Sequence, residues 1–104
     1  MPSDDAGQAA RTDGYAKSVL KLLSRMRRSK SGYGESQLRK LYEGFGFIGR
    51  DKGDHVFYYH PDYPRVRGLV PRHRHLRDYV VSDAIDAIDE LLALREEEAN
   101  EEEP

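Results

Sequence analysis

Four histidines, His55, His60, His73 and His75, fall within 21 consecutive positions, in a stretch that also carries Arg50, Lys52, Arg72 and Arg74. Imidazole is the side chain whose ordinary pKa lets it take up and release a proton near neutrality. Beside cations, that capacity suits general acid–base cleavage of an RNA phosphodiester. A base withdraws the 2′-hydroxyl proton, cations steady the phosphorane charge and an acid protonates the leaving oxygen, with no metal or other cofactor required. His55 and His73 are the expected acid–base pair. Lys52, Arg50, Arg72 and Arg74 are expected to hold the RNA, with Tyr59 stacking an unpaired base. His73-x-His75 also has the spacing of a metal chelate, but the chain has no Cys and no acidic residue adjoins the pair, so no metal site is expected. His60, directly before Pro61, reads as a structural residue at a strand end.

Charge is segregated along the chain. The net value of −2 comes from 17 Lys and Arg against 19 Asp and Glu. Between Lys17 and Arg77, however, fifteen basic residues face five acidic ones, a net of +10, and the remainder is strongly acidic. A basic body of this kind is the usual footprint of a polyanion partner, here RNA. A solvated surface, or a module gripping an acidic protein, would show the same distribution.

At 104 residues and 38% apolar, the chain fits one small domain with short loops and no room for a large internal cofactor cavity. The absence of Cys removes disulfides and thiolate catalysis. Apolar runs fall far short of the roughly 20 residues needed to cross a bilayer, and the N-terminus lacks a basic start followed by an apolar stretch. No membrane association and a cytoplasmic location are expected.

The elements that position these residues follow from apolar spacing. Residues 1–13 are Ser-, Asp-, Gly- and Ala-rich and read as a disordered lead. Tyr15, Val19, Leu22, Leu23 and Met26 predict a first helix over 14–29, with Asp13 placed to cap it. Its apolar stripe packs back on the domain or, alternatively, docks a partner. Leu38, Leu41, Tyr42 and Phe45 predict a second helix over 35–44. Aromatic and branched residues between Gly and Pro then predict strands over 46–51, 54–60 and 67–71. Lys52-Gly53-Asp54 makes the tight turn between the first two. From about Arg77, Val81, Ala84, Ile85, Ile88, Leu91 and Leu92 line one face of a closing amphipathic helix. The Glu-rich end, 96–104, has no apolar face and is expected to fray or stay disordered as an acidic tail that shields the basic face. The order predicts an α+β fold over 14–95, a small three-stranded antiparallel sheet covered by helices, one of them an extra N-terminal one.

Within this frame Gly46-Phe47, Gly53-Asp54-His55, His60-Pro61 and Val70-Pro71-Arg72-His73 form an ordered set of short motifs. The pattern resembles the HicA family of toxins over about 35–94. The resemblance implies a fold similar to the double-stranded-RNA-binding domain, an mRNA interferase (endoribonuclease) activity, and a cognate HicB-type antitoxin that masks the active site. It places the catalytic histidine of the family's glycine-serine-histidine turn on His55, with Asp54 where Ser is usual. An RNA-binding relative that has lost catalysis through Asp54, and a protein-interaction module, are the alternative functions.

Strand alternation puts His55, Phe57 and Tyr59 on one side, and Val56, Tyr58 and His60 on the other. If the His55 side is open, Phe57 and Tyr59 form a stacking platform. If it is buried, they are core and Tyr58 is the exposed residue. His73, held by Pro71, is expected to approach His55 across the sheet.

Overall fold

The computed structural model describes residues 12–102. Three helices and three strands follow in the order α1 (Lys17–Arg28), α2 (Glu35–Gly44), β1 (Ile48–Lys52), β2 (His55–Tyr59), β3 (Arg67–Pro71) and α3 (Asp78–Glu102). The sheet is antiparallel with β2 in the centre. The disordered lead expected over 1–13 lies outside the described residues except for Thr12 and Asp13. Asp13 does not cap α1: the N-cap is Ala16, which makes no side-chain capping bond.

The helices form because each presents an apolar stripe that the sheet can cover. Val19, Leu22, Leu23 and Met26 of α1 are all buried, so this stripe packs within the domain. At about 1.5–3 kcal/mol per buried aliphatic side chain, the added helix is a substantial part of the core. Leu38, Leu41 and Tyr42 of α2, with Phe45 just beyond it, are sealed from solvent. Val80, Val81, Ala84, Ile85, Ala87, Ile88, Leu91 and Leu92 make the buried side of α3.

All three helices lie on one side of the sheet, and a tyrosine decides which side. Tyr58 is flanked in register by Gly49 of β1 and Gly68 of β3. A Cβ at Gly49 would stand 2.8 Å from the Tyr58 ring. The two glycines leave space in which Tyr58 stacks flat on Tyr42 of α2, centroids 4.5 Å apart and planes 8° from parallel. Val56, Tyr58 and His60 therefore face the core. The β1–β2 turn is closed by Gly53 at φ +64°, a left-handed conformation that glycine adopts without steric cost.

The helix α3 runs 25 residues, so the Glu-rich segment up to Glu102 continues it and does not fray. Glutamate has good helix propensity, and this turn has partners. Arg95 hydrogen-bonds the Tyr15 hydroxyl and lies over its ring. Tyr63 and Glu98 line one hollow with Arg95, and burial, with the Glu98 carboxylate beside it, pushes the Tyr63 phenol up to about 12. These contacts lie at the connection between β2 and β3, the opposite end of the sheet from the Gly53 turn, so the helical part of the acidic tail does not cover the residues around His55. Among the described residues no helix is long and apolar enough to cross a membrane.

Candidate nucleic-acid interface

Cross-strand partners share a face, so the register defines the side of the sheet turned away from the helices. One row is Ile48, Tyr59 and Arg67, the next Arg50, Phe57 and Leu69, and the last Lys52, His55 and Pro71. The open-side alternative for β2 thus holds: His55, Phe57 and Tyr59 are partly exposed while Val56 and Tyr58 are buried. The face carries three cations, two aromatic rings and one imidazole, and no acid.

Cations and rings are laid against each other. The Phe57 and Tyr59 rings stack at 6.1 Å with planes 24° apart. The Lys52 ammonium lies 5.5 Å from the Phe57 centroid, and the Arg50 guanidinium carbon 5.6 Å from that of Tyr59. Arg50 also donates a hydrogen bond of 3.3 Å to the Tyr59 hydroxyl. Such contacts place a positive charge against each ring of the open face.

His55 closes the platform at its turn end, with Lys52 on one side in register and Pro71 on the other. It also lines a cleft of about 440 Å³ between β3 and α3, with Tyr79, Asp83 and Asp86 on the helix wall.

His73 is placed elsewhere. Its N–H donates to the Pro71 carbonyl at 3.0 Å, a tight turn that takes the chain off the sheet, and its own carbonyl accepts from Glu35 N–H at 3.0 Å. It therefore lines a separate hollow at the start of α2, with Ser36, Gln37, Arg72 and Arg74. No contact joins His73 to His55 among the described residues: the strand ends at Pro71, the residue paired with His55, and the two histidines line different hollows.

Arg72 is likewise occupied within the molecule. Its guanidinium donates to the Gly53 carbonyl at 3.3 Å, to Glu35 at 3.2 Å and to Asp51. Its backbone N–H bonds the Asp54 carbonyl at 2.9 Å. Arg72 is a clamp joining the turn before His55, the end of β3 and the start of α2, with three of its five guanidinium N–H donors engaged within the molecule. Arg74 is exposed in the second hollow.

His60 is buried at 7% exposure, as a structural residue at the end of β2. Its Nδ1 accepts from Asp62 N–H at 3.1 Å. Burial is the main cause that holds its pKa below the ordinary value. Arg95 lowers it further, while Asp62 and a hydrogen bond to the Phe45 backbone oppose the shift. Among the described residues no group of three or more His, Cys, Asp or Glu stands together to hold a metal ion.

Two members of the face, Arg67 and Leu69, do not follow from sequence reasoning. The short Gly53-Asp54 turn fixes Arg50 opposite Phe57, but the longer connection from His60 to Val66 leaves the register of β3 open. The odd-numbered parity of 67, 69 and 71 was the available signal.

Compared with protein-family models, with curated proteins and with solved structures, the chain matches none.

Proposed function

We propose that the protein is a metal-independent endoribonuclease that holds single-stranded mRNA on the open face of its sheet and cuts it with His55. The observation that carries this reading is the acid-free face on which Arg50, Lys52 and Arg67 alternate with Phe57 and Tyr59 and end at a partly exposed imidazole. Unpaired bases stack on the rings and phosphates meet the cations. At the turn end His55 takes the 2′-hydroxyl proton as that oxygen attacks phosphorus. Lys52, its neighbour in register, opposes the charge gathering on the phosphoryl oxygens, and the departing 5′-oxygen takes its proton from solvent.

This is a one-histidine mechanism, since His73 stands in a separate hollow. The resemblance to HicA toxins supports the reading, and with it a fold of the double-stranded-RNA-binding type and inhibition by a HicB-type antitoxin. The placing of His55 and His73 in different hollows favours a second reading, a protein that binds RNA on the same face without cutting it.

The test is cleavage of an end-labelled RNA in the presence of EDTA, wild type beside His55→Ala. The expected result is cutting to a 2′,3′-cyclic phosphate by the wild type and none by the variant, with RNA affinity retained. Cleavage that survives in His55→Ala refutes the assignment. Binding without cleavage by the wild type establishes the second reading.

A further inference from the structure

We propose that the groove between β3 and α3 docks an extended basic peptide segment of a partner protein, which adds to the sheet as a fourth strand. Two backbone bonds fix which groups of β3 are free. Arg72 N–H bonds the Asp54 carbonyl at 2.9 Å and His60 N–H bonds the Val66 carbonyl at 3.1 Å, bracketing the β2–β3 ladder. Bonded and non-bonded pairs alternate along an antiparallel ladder. Val56 and Val70, and Tyr58 and Gly68, are therefore the bonded pairs, and the N–H and C=O of Arg67 and Leu69 turn outward. β3 is the last strand in the order, so these groups meet no further strand among the described residues. A row of unpaired backbone donors and acceptors is a template for another chain.

The groove beside this edge suits one kind of strand. Its far wall is a stripe of α3, Tyr79, Asp83, Asp86, Ala87 and Glu90, spaced by three and four residues. Leu69 and Tyr79, at its lips, are 51% and 60% exposed. Three carboxylates line it against one cation, Arg67. Asp83 and Asp86 enter no ion pair among the described residues, and Glu90 reaches Arg65 only at 3.6 Å with both side chains exposed.

A strand added at β3 alternates its side chains between the helix wall and the open face. Positions toward α3 meet carboxylates and call for Lys or Arg. The alternate positions lie beside Leu69 and His55 and call for apolar residues. A nucleic acid would instead bring phosphates against three carboxylates. The groove shares His55 and Arg67 with the open face, but the proposal rests on the backbone edge and the α3 wall and is read by peptide binding alone, so its failure and that of the ribonuclease reading are distinguishable.

The test titrates the isotope-labelled chain with a seven-residue peptide alternating valine and lysine, with a valine–glutamate alternation as control, and follows amide exchange by NMR. Saturable binding of the basic peptide is expected, with slowed exchange at the Arg67 and Leu69 amides. The paired change Asp83→Asn with Asp86→Asn should weaken binding at least tenfold. Leu69→Pro, which removes only an outward N–H, should abolish it. Should Leu69→Pro fail to fold, the asparagine pair decides. Unchanged exchange at both amides, equal binding of the acidic peptide, indifference to the asparagine pair, or protection of these amides by oligouridylate instead would overturn the proposal.

Discussion

Neighbouring residues of β2 should fail in opposite ways when truncated. Phe57 is partly exposed on the open face, and its ring touches Tyr59 and the Lys52 ammonium. Phe57→Ala opens no cavity in the core, so its stability cost is limited to surface contacts, about 1 kcal/mol or less. A base stacked on an aromatic ring contributes about 1–3 kcal/mol, so RNA affinity should fall roughly 5- to 150-fold. Tyr58, one residue on, is 1% exposed and lies flat on Tyr42 between two glycines. Tyr58→Ala removes a large buried ring and should cost about 3–5 kcal/mol, a sizeable share of the roughly 5–15 kcal/mol that holds a domain together. Urea unfolding, with fluorescence polarisation of a labelled oligouridylate at fixed salt, measures both quantities on both variants. Phe57→Ala with undiminished RNA affinity, or with a stability loss matching that of Tyr58→Ala, would refute the claim that this face is open and stacks bases.

Arg72→Met breaks a clamp of three acceptors and leaves Asp51 and Glu35 without their shared cation. Because Asp51 is exposed and Glu35 keeps Arg39, the change should destabilise by about 1 kcal/mol or less in urea unfolding. The salt slope of RNA binding should fall less than in Lys52→Met, which should reduce that slope by about one, because most of the Arg72 donors are spent within the molecule. His60 titrates below its unfolded-state value because it is buried. The unfolded chain therefore binds a proton first, and stability is lost as pH falls below about 6.5, the ordinary histidine value. Urea midpoints between pH 7.5 and 5.5 should show this loss for the wild type, and a flatter profile for His60→Asn. Gly34→Ala would drive a Cβ into the Arg74 carbonyl, whose carbon would lie 2.9 Å away. Such overpacking against backbone should cost about 1–3 kcal/mol and lower the thermal midpoint.

The parts of this structure that are local in sequence were legible, and those that depend on distant partners were not. The second helix over 35–44 and the third strand over 67–71 coincide with α2 and β3, because Gly44, Gly46 and Pro71 punctuate them. The first two strands are shorter than their apolar runs, since Gly46, Phe47 and His60 belong to the turns that flank them. Alternation in β2 was visible, but which parity faces the core was not. That choice rests on Gly49 and Gly68 flanking Tyr58, a fact of register. The engagement of Arg72 links positions 21 and 37 residues apart, so nothing near it in the chain distinguishes it from a free cation. The helical continuation of α3 is not legible locally, because the Tyr15 that Arg95 engages comes from a segment remote in sequence.

The direction of α3 gives the molecule an electrical polarity. The helix starts beside the Arg72, Arg74 and Arg77 segment and carries its glutamates to the far pole, where the helix dipole is itself negative. In the field of a polyanion such an object experiences a torque before it experiences a contact. Under the proposed function it would turn its cationic pole, with the Gly53 hairpin and His55, toward the approaching strand, and the encounter rate should fall as ionic strength rises.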